Sequence, residues 1–487
     1  MHSAFGLRYL FANMREYQDR SEIVEFTIHD RPMDIVESLL DKNPKIVSFG
    51  VYIWNVNELT DVLALLRVIA PDLIIVLGGP EVSHPPDLPS LVTYADYIIT
   101  GPGEITLPQI CAELLNNQRP SEKIIKGEMA DLTSLELPYQ YYTEDDIRNR
   151  MIYVEASRGC PFKCEFCLSS LDKTAKPFEL SCFLNEMDKL FQRGARNFKF
   201  IDRTFNLKVS SSVAILEFFL ERMTDDLYLH FEVIPDNLPD KLKETLKRFP
   251  PNSLQFEIGI QTFDPEIQSL ISRKQNNEKS GENLRWLREN TGAHLHVDLI
   301  FGLPSDRLEN FGDSFDQLIA LKPQEIQLGI LKRLRGAPIN RHTDKYQLKY
   351  NPRAPYNILS TRDIDFLTMQ RMNRFARFWD MIGNSGRFPN TLPIILADKP
   401  FERFYQLSDD LYNSANSTWK ISLKRLYKLL YTQLTESFNI APEIIRQALQ
   451  EDFERSGQKD TLDFIQPSLK SVSKTGVANK RQRNHQR

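Results

Sequence analysis

The 487-residue chain is short of cysteine and has almost no excess of charge of either sign. Its five cysteines, three of them crowded between positions 160 and 167, lack the spread of a disulfide framework. A formal net charge of −4 argues against general affinity for nucleic acid or an anionic membrane, although it allows a local patch. The absence of a disulfide framework predicts a protein of the reducing cytoplasm.

Long apolar runs are also missing from the sequence. No stretch of about 18 apolar residues occurs, so we predict no segment that spans a bilayer. The N-terminal residues lack the apolar core and cleavage site of a secretory signal. Hydrophobic residues make up 41% and charged residues 26% of the chain, which is typical of globular proteins, and the length predicts several domains.

The stretch RGCPFKCEFC, residues 158–167, is the most informative about function. Cys160, Cys164 and Cys167 offer three thiolates from one tight loop, with no obvious fourth ligand beside them. Structural zinc takes four ligands, usually as two separated pairs, and a cubane iron–sulfur cluster normally takes four cysteines. Three thiolates on a cubane leave one iron open to a small molecule. This pattern favours a reactive centre over a zinc loop or an incidental group of thiols.

The Cys-x3-Cys-x2-Cys spacing resembles the signature of the radical S-adenosylmethionine (SAM) superfamily. The resemblance implies a 4Fe–4S cluster on the three cysteines, with SAM bound to its open iron. It also implies that one electron, from a reductant such as flavodoxin or ferredoxin, cleaves SAM to methionine and a 5′-deoxyadenosyl radical. Phe166 matches the family position that packs near the adenine of SAM.

Strand-like runs with helical stretches between them follow the cysteine loop, and one precedes it. Apolar and β-branched residues predict strands at residues 151–157, 197–202, 227–234, 254–262, 294–303 and 325–331. Six strands that alternate with helices predict a parallel sheet closed by crossovers. The resemblance implies a six-stranded partial (β/α) barrel over residues 145–340. The cysteine loop follows the first strand, and parallel barrels place their chemistry where strands end.

Several polar residues near the predicted strand ends are candidate SAM contacts. Asp202 lies where the family places groups that hold the SAM amine, although the usual Gly-Gly-Glu motif is absent. Arg273 resembles a family arginine that pairs with the SAM carboxylate. Further candidates on later strands are Glu232, Glu257, Gln261 and Asp298. For each residue the alternative is a solvated strand-end charge or a structural ion pair.

The first 130 residues predict a separate, doubly wound α/β domain. Strand-like runs at residues 23–28, 45–53, 73–79 and 95–101 alternate with helices such as 56–70 and 106–115. Glycine-rich turns after these strands let the backbone approach a ligand closely. These turns, together with the order of the domains, resemble the Rossmann-like domain of cobalamin-binding radical SAM enzymes.

That resemblance implies that cobalamin contacts lie in these turns. The candidate contacts are Ser48, Tyr52, Trp54, Gly79, Glu81, Ser83, Gly101 and Glu104. The Asp-x-His-x-x-Gly motif, whose histidine ligates cobalt in many such domains, is absent, and His2 and Gly6 are one residue too far apart to replace it. The chain starts with an amphipathic helix over residues 3–17, so the first strand is missing. We expect an upstream strand, which an in-frame apolar extension would support and a stop codon directly upstream would exclude.

From residue 345 the pattern becomes helical. Predicted helices at 361–382 and 422–438 favour an all-helical extension over residues 345–465, in which aromatic side chains form a helix core. Residues 466–487 are polar and basic and predict a disordered tail, with a nucleic-acid arm as the less favoured alternative. Cys111 and Cys182 are interpreted as incidental thiols.

The combined resemblance implies a cobalamin-dependent radical SAM methyltransferase. Its substrate would be a small molecule, lipid or natural product that is methylated on an unactivated carbon or phosphorus. Two alternatives stay open: a ring-forming or rearranging enzyme without methyl transfer, and a non-catalytic relic that binds cobalamin or SAM. A tRNA methylthiotransferase fits poorly, because it requires cysteines in the N-terminal domain, where Cys111 stands alone.

Overall fold

A computed structural model describes residues 3–456 together with Leu462, Arg481 and His485. The chain divides into two compact units. The first consists of Met1–Ile201, Lys332–Arg341 and Tyr350–Asn357, and the second of Asp202–Leu331, His342–Lys349 and Ile358–Arg487. Within the described residues, no helix combines the length and the apolar character that crossing a membrane requires.

Two parallel sheets form the framework. The first has the strands β1 (Ile46–Gly50), β2 (Ile74–Gly78), β3 (Tyr97–Thr100) and β4 (Ile124–Lys126), in the order β1-β2-β3-β4. The second has the strands β5 (Ile152–Val154), β6 (Asn197–Phe200), β7 (Tyr228–Val233), β8 (Leu254–Gln261), β9 (His294–Phe301) and β10 (Glu325–Ile330), in the order β10-β9-β8-β7-β6-β5. Each of the six strands predicted for the barrel is present. The predicted α/β fold class is therefore confirmed.

The helices alternate with the strands up to β10 and then follow one another. They are α1 (Phe5–Ala12), α2 (Pro32–Asp41), α3 (Val56–Ile69), α4 (Thr106–Leu115), α5 (Glu144–Asn149), α6 (Leu180–Gln192), α7 (Val209–Leu220), α8 (Asp240–Lys247), α9 (Pro265–Leu270), α10 (Asn277–Asn290), α11 (Leu308–Ala320), α12 (Thr343–Tyr346), α13 (Phe366–Ile382), α14 (Thr391–Leu396), α15 (Pro400–Ala415), α16 (Leu423–Glu436) and α17 (Pro442–Arg455). The C-terminal extension is mainly helical, but the short strands Lys349–Tyr350 and Ile358–Ser360 form a two-stranded sheet in it, so the prediction of an all-helical extension is wrong there.

The first sheet is covered by helices on both faces, because alternate residues of a strand point to opposite sides. Ile75 and Leu77 of β2 lie in one apolar core with side chains of α2 and α3. Val76, between them, lies in a second core with side chains of α4. Burial on both faces explains the nearly continuous apolar character of β2 and is the doubly wound arrangement that the sequence predicted.

The strand predicted at residues 23–28 is wrong. Within the described part of the chain, residues 23–28 belong to none of the sheets, so no ladder of backbone hydrogen bonds holds them as a strand. Glu25 holds the segment instead, because its carboxylate accepts hydrogen bonds from the Ala4 amide, Arg8 and Arg150. The strand β4 was not predicted, and it pairs with β3. The upstream strand stays a prediction, and His2 lies outside the described residues.

A short antiparallel ribbon frames the cysteine loop. Ser157–Arg158, directly after β5, pairs with Lys176–Pro177, so the chain between them forms a closed loop. Next to the ribbon, β5 and β6 pair in parallel, with Ile152 opposite Phe198. The loop is therefore anchored at both of its ends.

The C-terminal helices pack against the second unit's sheet. Phe375, Phe378 and Trp379 of α13 are buried and form the predicted helix core, whereas Phe366, the fourth aromatic residue of the predicted stripe, is 52% exposed at the start of the helix. The Asn384 side chain, after α13, donates to the Ile326 carbonyl and accepts from the Ile326 amide, both at 2.8 Å. One amide side chain therefore satisfies both backbone groups of a β10 residue.

The domain boundaries given above stay predictions, as does the basic tail. Arg481 pairs with Glu325 and Asp380, at 2.8 and 2.6 Å, and His485 lies 2.8 Å from the Asn384 carbonyl. The other residues of the predicted tail lie outside the described part of the chain.

Candidate cofactor sites

The cysteine loop is fixed by hydrogen bonds of its own backbone. The Cys160 amide donates to the Asp172 carbonyl at 3.0 Å, and the Cys167 amide donates to the Cys164 carbonyl at 3.1 Å. Gly159 has φ +95°, and a Cβ there would lie 2.4 Å from the Thr174 carbonyl oxygen. Only glycine fits the approach of the two halves of the loop at this point.

The three cysteines form no disulfide and are of intermediate burial, as cluster ligands reached by a small molecule should be. Among the described residues, no three His, Cys, Asp or Glu side chains converge as ligands of a single metal ion. A zinc site needs four donors around one point, whereas a cubane distributes its thiolates over separate corners. The donor set therefore fits three corners of a 4Fe–4S cluster better than zinc. Phe166, between two of the ligands, is half-buried.

Arg158, directly before the cysteine loop, connects β5 to the N-terminal domain. Its guanidinium donates to Glu104 at 2.7 Å and to Glu155 at 3.0 Å, and it lies 4.9 Å from the centre of the Tyr9 ring. Burial raises the pKa of Glu155, although the Arg158 charge opposes this shift. Glu104 was predicted as a cobalamin contact, and here it links the last turn of that domain to the cysteine loop.

The predicted cobalamin turns lie together at the carboxyl ends of β1, β2 and β3. Gly79 has φ +102°, and a Cβ there would lie 2.6 Å from the Val51 carbonyl oxygen, so the turn after β2 packs directly on the backbone after β1. The Ser83 hydroxyl donates to the Gly79 carbonyl and accepts from the Gly101 amide, which joins the second turn to the third. Gly101 has φ +78° and open space around it.

The other predicted cobalamin contacts differ in exposure. The Tyr52 and Trp54 rings stack with centroids 4.4 Å apart, and Trp54 is 60% exposed, while Ser48 on β1 is also exposed. Glu81 is buried and its carboxylate lies 3.3 Å from the Arg335 guanidinium. Burial raises the pKa of Glu81, and Arg335 counteracts the shift. An apolar, stacked face beside rigid turns suits a large planar macrocycle.

In the second unit, strand register brings several predicted SAM contacts onto one face. Glu232 of β7 lies opposite Glu257 of β8, and Glu257 lies opposite His296 of β9. Asp298, two residues after His296, faces the same side and lies opposite Gly259. Asp202, the last residue of the second predicted strand, is buried two residues after the observed end of β6 at Phe200.

A bulge in β8 displaces Gln261, which has φ +69°. Its buried Oε1 atom has no hydrogen-bond partner in the part of the chain that the structure describes, so it can accept a bond from a ligand. Arg273 donates to the Gly259 carbonyl at this bulge and to Gln275 at 2.9 Å. The orphaned amide oxygen near the cationic Arg273 fits a ligand that has both donors and a carboxylate, as SAM has.

Two arginines of the first unit were not singled out from the sequence. Arg335 contacts Glu81 and Asp87, and Arg341 contacts Glu165 of the cysteine loop. These pairs join residues about 170 to 250 positions apart, and no local pattern in the sequence indicates them. An alignment that reveals paired changes could have found them.

Family models match most of the chain. The model described as "B12 binding domain" matches residues 1–111, and "Radical SAM superfamily" matches residues 154–318. Residues 344–487 match "Protein of unknown function (DUF4080)". Each match overlaps one of the three predicted parts of the chain, namely the cobalamin domain, the barrel and the helical extension.

Among curated proteins, the chain is 22% identical to "Uncharacterized methyltransferase PH0819" of Pyrococcus horikoshii, over 62% of this chain and 70% of that protein. It is 23% identical to "Cobalamin-dependent radical SAM methyltransferase TokK" of Streptomyces tokunonensis, over 64% of this chain and 51% of that protein. The chain thus spans about half the length of the second relative.

Among solved structures, the fold is similar to that of the "Cobalamin-dependent S-adenosylmethionine radical enzyme OxsB". The TM-score is 0.62 at 13% sequence identity, and the match covers 93% of this chain and 76% of that one. The TM-score shows that the two proteins share a fold, and at such a low sequence identity the similarity shows the fold alone. The chain joins a B12-binding domain to a radical SAM superfamily domain, as its cysteine spacing and its glycine-rich turns predicted.

Proposed function

We propose that this protein is a cobalamin-dependent radical SAM methyltransferase that acts on an unactivated carbon or phosphorus of a small molecule, lipid or natural product. The observation that carries the proposal is the Arg158 contact, which ties the three-cysteine loop to Glu104 of the B12-binding domain within one compact unit. The methyltransferase names of the two curated relatives support methyl transfer as the reaction.

The residues have distinct parts in this proposal. Cys160, Cys164 and Cys167 hold the cluster, and the turns at Gly79 and Gly101 hold cobalamin. Gln261 and Arg273 contact SAM. When bound, these cofactors supply a 5′-deoxyadenosyl radical and a transferable methyl group. Arg158 keeps its positive charge beside the cluster loop, because its pKa is raised by the adjacent carboxylates against the opposing effect of burial.

The proposal places the enzyme in a reducing cytoplasm, where a small electron-transfer protein reduces its cluster. The cluster needs one electron for each cleavage of SAM, and flavodoxin or ferredoxin is the class of reductant that supplies it. Solvent-accessible cysteines without disulfide partners are compatible with that compartment.

Anaerobic reconstitution with iron and sulfide tests the first part of the proposal. Replacing Cys160, Cys164 or Cys167 with alanine should abolish both the cluster's visible absorption and the reductive cleavage of SAM to 5′-deoxyadenosine. Cys182→Ala is the matched control, because Cys182 is exposed on α6 and should leave both signals unchanged. A full cluster in the triple alanine variant would refute the assignment.

The second part of the proposal concerns the methyl group. With methyl-labelled SAM and hydroxocobalamin, we expect the label on cobalamin and, once a substrate is found, two SAM consumed for each methylated product. Cleavage of SAM without any methyl transfer would favour a ring-forming or rearranging enzyme. A stable cluster that never cleaves SAM under a strong reductant would favour a non-catalytic relic.

A further inference from the structure

Residues Lys332–Arg341 form a segment of the first unit that contacts both candidate cofactor regions of that unit. We call it the bridging segment. We propose that the bridging segment is a positioning element that fixes the cluster loop relative to the cobalamin turn after β2. The inference rests on the proposed function, because the spacing matters only if both cofactors bind.

One end of the bridging segment holds the cysteine loop. The Ile339 amide donates to the Glu165 carbonyl at 2.9 Å, and Arg341 binds both Glu165 carboxylate oxygens, at 2.9 and 2.5 Å. Glu165 lies between Cys164 and Cys167 in sequence and its side chain is 5% exposed. The backbone and the side chain of a residue between two cluster ligands are therefore held by the same segment.

The other end of the segment holds the cobalamin turn. Arg335 lies 3.3 Å from Glu81, pairs with Asp87, and donates to the Tyr356 hydroxyl at 3.2 Å. Arg333 pairs with the second oxygen of Asp87 at 2.7 Å. Glu81 is only two residues after Gly79, and its side chain is 2% exposed. A buried carboxylate needs such a partner, because an unpaired charge there is strongly destabilising.

The residues between Arg335 and Arg341 are folded tightly rather than extended. The Leu334 carbonyl accepts from the Ala337 amide at 3.1 Å and from the Asn340 side chain at 3.2 Å. Gly336 has φ +76°, and a Cβ there would lie 2.3 Å from the His84 ring, so the segment also packs against the loop after Glu81. Because the segment is compact, a displacement of one loop is transmitted to the other.

The test compares Arg335→Gln and Arg341→Gln with the charge-conserving variants Arg335→Lys and Arg341→Lys. Arg353→Gln is the matched control, since Arg353 belongs to the same unit and is exposed. Each protein is loaded anaerobically with iron, sulfide and hydroxocobalamin and is normalised to its iron and cobalt content, and a mild reductant then converts the bound Co(III) to cob(II)alamin. The readout is the relaxation of the cob(II)alamin electron paramagnetic resonance signal, which the reduced cluster accelerates steeply as their separation shrinks.

In the wild type, reducing the cluster should accelerate relaxation of the cobalt signal. Both glutamine variants should lose most of this acceleration, the lysine variants should recover part of it, and Arg353→Gln should match the wild type. Arg341→Gln should also shift the cluster's reduction potential to more negative values, because it removes a positive charge that lies 2.5 Å from the Glu165 carboxylate. Where a glutamine variant loads poorly, its lysine counterpart supplies the comparison.

Relaxation that is unchanged in the fully loaded arginine variants would overturn the bridging role while leaving the proposed function intact. A wild-type protein that binds neither cofactor would instead refute the proposed function. Arg335→Gln should also weaken cobalamin binding about tenfold, since one decade corresponds to the loss of one modest buried contact. If Arg335→Gln changed neither the cobalamin affinity nor the relaxation, the bridging segment would neither support the cobalamin turn nor fix its distance from the cluster loop.

Discussion

At the residue scale, the carboxyl of Asp306, in the turn after β9, is buried and has a strongly raised pKa. It accepts a hydrogen bond from the Gly302 amide at 3.0 Å, yet burial raises its pKa from 3.8 to about 8. The folded state therefore binds a proton that the unfolded chain releases, over the range between these two values. The contribution of Asp306 to the free energy of unfolding is therefore fully present below about pH 4 and is lost as the pH rises toward about 8.

We therefore predict that Asp306→Asn reduces the pH dependence of stability. Between pH 6 and pH 8 the wild type should lose about 2 kcal/mol from this group, and the variant should not. Asparagine keeps an oxygen for the Gly302 amide, so the variant should fold. Urea denaturation at the two pH values measures the difference, with the exposed Asp313→Asn as control. Equal pH dependence in the variant and the wild type would contradict the assignment.

Single residues were predictable from the sequence only where spacing is local. Cys160, Cys164 and Cys167 are close in sequence and share one chemistry, so their pattern was sufficient. The pairing of Glu81 with Arg335 was not predictable, because it depends on how a segment 254 residues away packs back. The orphaned oxygen of Gln261 likewise depends on a bulge that the strand pattern does not reveal.

At the scale of elements, the two glycine turns of the B12-binding domain provide a matched pair. We predict that Gly79→Ala destabilises the protein by about 3 kcal/mol and abolishes cobalamin binding, because its Cβ would collide with the Val51 backbone. Gly101→Ala should reduce stability by only about 1 kcal/mol, the cost of a positive φ for alanine, because a Cβ at Gly101 meets open space. Urea denaturation and cobalamin titration distinguish them, and equal effects would contradict the packing argument.

The Asn384 side chain, which hydrogen-bonds both backbone groups of Ile326 on β10 and is called the Asn384 cap below, gives another prediction. Asn384→Ala should cost about 2 kcal/mol of stability, because the Ile326 amide loses its buried partner and the Ile326 carbonyl loses one of its two donors. Asn373→Ala is the control, since Asn373 only donates to the Met369 carbonyl of its own helix. Chemical denaturation compares the two variants, and a smaller loss for Asn384→Ala than for Asn373→Ala would disprove the cap.

Elements were predictable where a neighbour existed to stabilise them. The six barrel strands were predicted with errors of up to three residues at their ends, because each has apolar residues buried in a sheet. Residues 23–28 have a similar composition but form no strand among the described residues, because a strand requires hydrogen bonds from a partner. The strand β4 lies at the edge of its sheet and its residues are largely exposed, so its sequence lacks the buried apolar run that indicates a strand.

At the scale of the whole molecule, the two units should respond differently to ligands. Hydroxocobalamin at one hundred times its Kd should stabilise the first unit by about 2.7 kcal/mol, because it binds the folded state alone. Trp54 is the first unit's single tryptophan, and Trp286, Trp379 and Trp419 belong to the second. Thermal unfolding followed by fluorescence of Trp54→Phe and wild type should locate the shift in the first unit. A shift confined to the other three tryptophans would contradict the cobalamin assignment.

The Asn384 cap also has a consequence for solubility at high concentration. An open strand edge presents unpaired backbone groups and is a template on which another chain can add its own strand. Because Asn384 occupies both backbone groups of Ile326 on β10, a foreign strand cannot form its ladder through that position. The same amide that stabilises the fold thus protects the molecule from self-association through this edge.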